Sequence, residues 1–224
     1  MKYIAQDKMI SLIGDDYRFL QVMSRFGIPL GFGDKSIEEV CKDNGVDCET
    51  FLMVVNFICD EETEEDPGVQ TSLASLLHYL KQSHIYFLEF CLPAIRRKLL
   101  DAIEMKDSDV SFLILKLFDE YVDGIREHMT EEENNLFKLV DGAMNKELKP
   151  QTFISTYSHH HQEVSSKLKE LKNIIIKYSP QGAKANLLNA ALYDIYRCEE
   201  ELGSHCRIEE FLLIPSLNRQ LQFQ

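Results

Sequence analysis

Apolar residues return every three to four positions along most of this chain, the spacing that lines one face of an α-helix. Near the N-terminus Ile10, Ile13, Tyr17, Leu20 and Met23 keep that rhythm until Gly27-Ile28-Pro29-Leu30-Gly31-Phe32-Gly33 interrupts it. Ser36-Ile37-Glu38-Glu39 reads as a capping box, in which the serine hydroxyl and the glutamate three residues later satisfy amides left open by the first helical turn. The helix it opens is expected to stop near Asn44-Gly45, and Asp47 to cap a third helix through Ile58. Residues 1–59 therefore predict a small helical module. The acidic run over residues 60–68, DEETEEDPG, reads as a solvated linker, and 60–69 is taken as the divide.

Four long helical patterns fill residues 70–224, at about 70–105, 109–143, 150–179 and 183–220. The first aligns Leu73, Leu77, Leu80, His84, Leu88 and Cys91; the second aligns Leu117, Phe118, Tyr121, Ile125, His128, Glu132, Leu136 and Leu139. The third aligns Ile154, Tyr157, His161, Val164, Leu168, Leu171 and Ile175; the fourth aligns Ile195, Cys198, Leu202, His205, Ile208, Glu209 and Leu212. Short connections make consecutive helices antiparallel neighbours, so the expected fold is all-α, an up-down-up-down four-helix bundle. Pro93 is expected to bend the first long helix rather than end it, because the periodicity resumes at Ile95 and Leu99.

Composition narrows the class. The 224 residues suffice for one sizeable domain and a small one, and 10 Gly with 6 Pro favour helices over turn-rich architecture. A formal net charge of −13 argues against nucleic acid or an anionic membrane surface as partner. The first residues lack a signal-peptide pattern, and no apolar stretch is long enough to span a bilayer. The six cysteines are scattered without a CxxC, which fits a reducing cytoplasm. Cys41, Cys48 and Cys59 fall on separate helical turns and are not read as a pair. Cys91 and Cys198 sit on apolar faces, where a thiol packs as a small hydrophobe.

The candidate chemistry lies in a His-x-x-x-Glu pair that occurs twice, as His128/Glu132 and His205/Glu209. Positions four apart share a helix face, and both pairs lie in line with an apolar stripe. A carboxylate pointed into a core is costly without a partner, and a metal ion is the usual one. The other two helices each offer a histidine, His84 and one of His159, His160 or His161. The face geometry nearly ties His160 with His161, and the apolar neighbours Tyr157, Val164, Leu168 and Leu171 favour His161. Four His and two Glu converging from four helices suit two first-row metal ions, whereas a lone zinc needs only four ligands, commonly with sulfur. His78 lies about 240° round the helix from His84 and is left on the surface. Glu131 and Glu133 fall off the stripe and are expected to be solvated, and Tyr121 and Tyr157 to serve mainly in core packing.

These segments, HYLKQSHIYFLEFCLPAI, EHMTEEENNLF, HHHQEVSSKLKEL and SHCRIEEFLLIPSL, resemble the hemerythrin-like, HHE cation-binding family. Within it the chain is similar to the di-iron repair-of-iron-centres proteins, which are linked to bacterial nitrosative and oxidative stress. The resemblance implies His84, His128, His161 and His205 as terminal metal ligands. It implies Glu132 and Glu209 as bridges between two iron ions per chain, with an oxo or hydroxo group completing the bridge. It also selects His161 over His160, because an acidic residue, here Glu163, usually follows the family's third-helix histidine two positions later. The N-terminal module resembles the small domain that precedes the bundle in that family. Where the family carries adjacent cysteines, this chain reads Leu30-Gly31-Phe32-Gly33.

The resemblance implies, first, a stress-response protein that supplies iron for repair of damaged iron–sulfur centres, with apo iron–sulfur proteins as clients. Second comes a module that senses or binds O2, NO or redox state, and third an enzyme that reduces NO or peroxide at the two irons. Neither nucleic acid nor membrane is an expected partner.

Overall fold

The computed structural model describes residues 2–59, 71–103, 109–145, 158–178, 180 and 182–222, with backbone alone over 158–166. The acidic linker over residues 60–68 and the side chains of Ile154, Tyr157, His159, His160, His161 and Val164 lie outside the described residues. Among the described residues every regular element is a helix, apart from one isolated bridge between Lys8 and Ser36.

Four short helices come first: α1 (Met9–Asp15), α2 (Phe19–Arg25), α3 (Ile37–Asp43) and α4 (Cys48–Cys59). The capping box at α3 forms as expected, with Ser36 N–H donating to Glu39 Oε2 at 2.8 Å and Glu39 N–H donating to Ser36 Oγ at 3.2 Å. Gly45, at φ 67°, ends α3 in a conformation that costs glycine little. Asp47 then caps α4 by accepting from Thr50 N–H at 2.8 Å. Asn56, on α4, holds the start of the chain, accepting from the amides of Lys2 and Tyr3 and donating to the Tyr3 carbonyl.

Two features of this module differ from the sequence expectation. Ile10, Tyr17 and Leu20 are exposed, while Met9, Leu12, Phe19, Val22 and Met23 form the buried face. Asp16 adopts an extended conformation between α1 and α2, so one continuous helical phase does not run through both. The second difference is that Cys41 and Cys48 lie near each other. The turn at Gly45 folds α4 back beside α3 and closes the gap between residues seven apart in sequence.

Next come four long helical runs. The first comprises α5 (Leu73–Ile85), a π-helical segment (Tyr86–Cys91) and α6 (Leu92–Ala102); the second comprises α7 (Asp109–Asn134) and α8 (Leu136–Met144). The third is α9 (Ser158–Lys177), and the fourth comprises α10 (Ala185–Ile208), a second π-helical segment (Glu209–Leu213) and α11 (Ile214–Gln222).

The chain separates into two compact units: Met1–Ser83 with Phe137–Thr152 and Ser204–Gln224, and His84–Leu136 with Phe153–Gly203. Within the first, Phe26 packs edge-on to Phe51 and tilted against Tyr79, and the Arg207 guanidinium covers the Phe57 ring. Within the second, one apolar core joins Phe87, Leu92, Ile95 and Leu99 to Ile114, Phe118 and Ile125, and to Leu168, Leu171 and Ile195.

Pro93 neither ends nor sharply breaks its helix. Proline lacks an N–H and its ring crowds the carbonyl four residues back. The π-helical turn widens the backbone just ahead of it, and Leu92 N–H bonds to the carbonyl of Phe87, five residues back. The buried stripe shifts accordingly, because Phe87 and Leu92 are buried whereas Leu88 and Cys91 are only partly so. The same device recurs in the last run, where Ile214 N–H bonds to Glu209 O ahead of Pro215. Leu99, fully buried on α6, anchors the second unit's core, and Leu99→Ala should cost about 2–5 kcal/mol of stability. Chemical denaturation of the full chain measures it.

Candidate metal centre

His128 and Glu132 stand one turn apart on α7, both buried, and His128 Nε2 lies 2.8 Å from Glu132 Oε1. The other carboxylate oxygen, Oε2, lies 3.2 Å from His84 Nε2, at the end of α5. One carboxylate thus faces a different imidazole with each oxygen. His205 ends α10, Glu209 opens the second π-helical segment, and His205 Nε2 lies 3.8 Å from Glu209 Oε1.

Ligand atoms of His84, Glu132, His205 and Glu209 all lie within 4.8 Å of one another, and all four residues are buried. Two carboxylates so close in an apolar interior repel each other and have lost most of their hydration. A shared cation offsets both penalties.

The histidine side of the site supports the same chemistry. His84 Nδ1 donates to Glu133 Oε1 at 2.9 Å. A carboxylate only accepts, so the hydrogen belongs on Nδ1; in the tautomer with its single hydrogen there, Nε2 carries a lone pair, and it faces Glu132. Two electron-pair donors facing each other at that distance suit a metal ion between them. A carboxylate behind a ligating imidazole also fixes the ring and raises its basicity. Glu133 was expected to be solvated; it is half exposed, yet it holds His84. Its reach to another helix has no signature in the helical period, although its place beside Glu132 puts it near the site.

The sequence-derived set is therefore brought together in part. His84, Glu132, His205 and Glu209 converge, and His128 joins through Glu132. His161 and its rivals His159 and His160 occupy the first turns of α9, with side chains outside the described residues. His78 is exposed, as expected, and so is Glu131. Tyr121 is buried and packs against Phe118. Imidazole and carboxylate donors without thiolate suit first-row ions such as iron, zinc or manganese.

The family model described as hemerythrin HHE cation binding domain matches residues 75–217, a span that includes every one of these side chains. No curated protein matches the chain.

His84→Ala, His128→Ala and His205→Ala should each lower bound metal and thermal stability together, since metal binding is coupled to folding. His78→Ala should change neither. His160→Ala and His161→Ala, compared by metal analysis, decide the third-helix donor. Glu133→Gln removes the charge behind His84 and should weaken metal affinity about 10–100-fold while preserving stoichiometry at saturating metal. Competition with a chromophoric chelator reads both quantities.

Proposed function

This chain belongs to the hemerythrin HHE cation-binding family, and on that premise we propose that it is a non-haem di-iron protein that supplies iron for repair of damaged iron–sulfur centres under stress. The observation that carries the di-iron part is the Glu132 carboxylate, with one oxygen toward His84 and the other toward His128. His84, His128, His161 and His205 would be the terminal donors, and Glu132 and Glu209 the bridges. When bound, an iron pair supplies one-electron redox chemistry and Lewis acidity.

The residues suit release as well as retention. Neutral imidazoles leave less negative charge on the metals than a carboxylate-rich shell, and protonating them frees the ion. The N-terminal module supports the repair reading through its resemblance to the domain that precedes the bundle in repair-of-iron-centres proteins. Among the described residues no helix is long and apolar enough to cross a membrane.

Anaerobic reconstitution with ferrous iron should give about two ions per chain, the number a bridging carboxylate pair accommodates. Mixing the loaded chain with an apo iron–sulfur protein and sulfide should then rebuild the client's cluster, read by its visible absorption. A stable one-to-one zinc complex that resists iron would overturn the di-iron reading. Retention of both irons with reversible O2 or NO binding, and no transfer, would replace repair with sensing.

A further inference from the structure

In the second unit a hollow of about 410 Å³ opens between the first long run and α7, a size typical of small-molecule sites. Its floor is apolar: Leu92 and Phe118 are buried, and Leu88 and Val122 are half-buried. Along α7 the wall residues Asp119, Val122, Asp123 and Arg126 recur at helical spacing, so one helix face supplies them. Across from them Leu88, Leu92 and Arg96 stand four apart, on the first π-helical segment and α6. None of these side chains belongs to the candidate metal centre.

Four charged groups line the hollow, and they divide into two kinds. The Arg96 guanidinium is committed to Asp119, donating from Nε to Oδ1 at 2.8 Å and from Nη2 to Oδ2 at 3.0 Å. That fork on a carboxylate cancels its own charge and fixes its part of the rim. Asp123 and Arg126 are different. Both are exposed, and among the described residues neither makes an ion pair. Three apart on α7, they set a carboxylate and a guanidinium one helical turn apart beside the apolar floor.

We propose that this hollow binds a free α-amino acid with a large apolar side chain. The ligand's ammonium pairs with Asp123, its carboxylate pairs with Arg126, and its side chain lies on Leu88, Leu92, Phe118 and Val122. Ligands of a single charge match less well. A fatty acid is drawn to Arg126 but repelled by Asp123, and an amine is drawn to Asp123 but repelled by Arg126. A zwitterion satisfies both, because its two charges are as close together as those on the helix. Exposed ion pairs are individually weak, so apolar contact supplies most of the affinity and the two charges supply the choice of ligand.

The chain contains no Trp, so the fluorescence of an added indole is read without intrinsic background in its band. The test titrates the full metal-loaded chain into L-tryptophan, tryptamine and indole-3-propionate in separate series and follows fluorescence anisotropy, with bound metal measured in parallel. L-Tryptophan should saturate and bind several-fold more tightly than either single-charge analogue, and L-phenylalanine should displace it. Arg126→Gln should bring L-tryptophan down toward the level of tryptamine, and Asp123→Asn toward that of indole-3-propionate, both with metal content unchanged. Because both side chains are exposed, these variants keep the fold, and the three ligands on the unaltered chain decide the question by themselves. Absence of saturable binding would overturn the proposal, as would a single-charge analogue that matches L-tryptophan. Binding that both variants leave unchanged would also overturn it, and would move the amino acid to the metal centre.

Discussion

The constraint on which the site depends is electrostatic: two carboxylates, Glu132 and Glu209, lie buried with His84 and His205, their ligand atoms within 4.8 Å. Removing such charges from water costs several kcal/mol per ion, more than surface ion pairs return. Helices are the economical way to meet that cost, because every backbone polar group is satisfied within the helix and only side chains need be arranged. A residue and its neighbour four positions on then present an imidazole and a carboxylate as a unit. Used on α7 and again where α10 passes into its π-helical segment, that unit sets the direction of the four converging side chains. His84, tethered from behind by Glu133, is aimed from a third helix.

Much of this was legible in the sequence, and the failures have physical causes. His84, His128, Glu132, His205 and Glu209 could be read because a helix converts spacing into a shared face. The capping box at Ser36 could be read because its hydrogen bonds are local. The buried face of α1 and α2 differs from the expected one because Asp16 breaks the helical phase, a break that Gly14-Asp15-Asp16 marks in the sequence and that the apolar spacing alone passes over. The role of Glu133 escapes the sequence because its partner, His84, lies on another helix, and periodicity on one helix is blind to it.

The two π-helical segments have a consequence in residue counting. In the first, successive buried positions stand five apart, Phe87 to Leu92, where an α-helix allows three or four, and in both a backbone hydrogen bond reaches five residues back. Each long run is in effect two α-helices welded out of step, the weld absorbing one residue more than a regular turn holds. The helix before the weld and the helix after it can bury their own faces only while that extra residue stays, so the length of these two short stretches is as much a part of the design as their side chains.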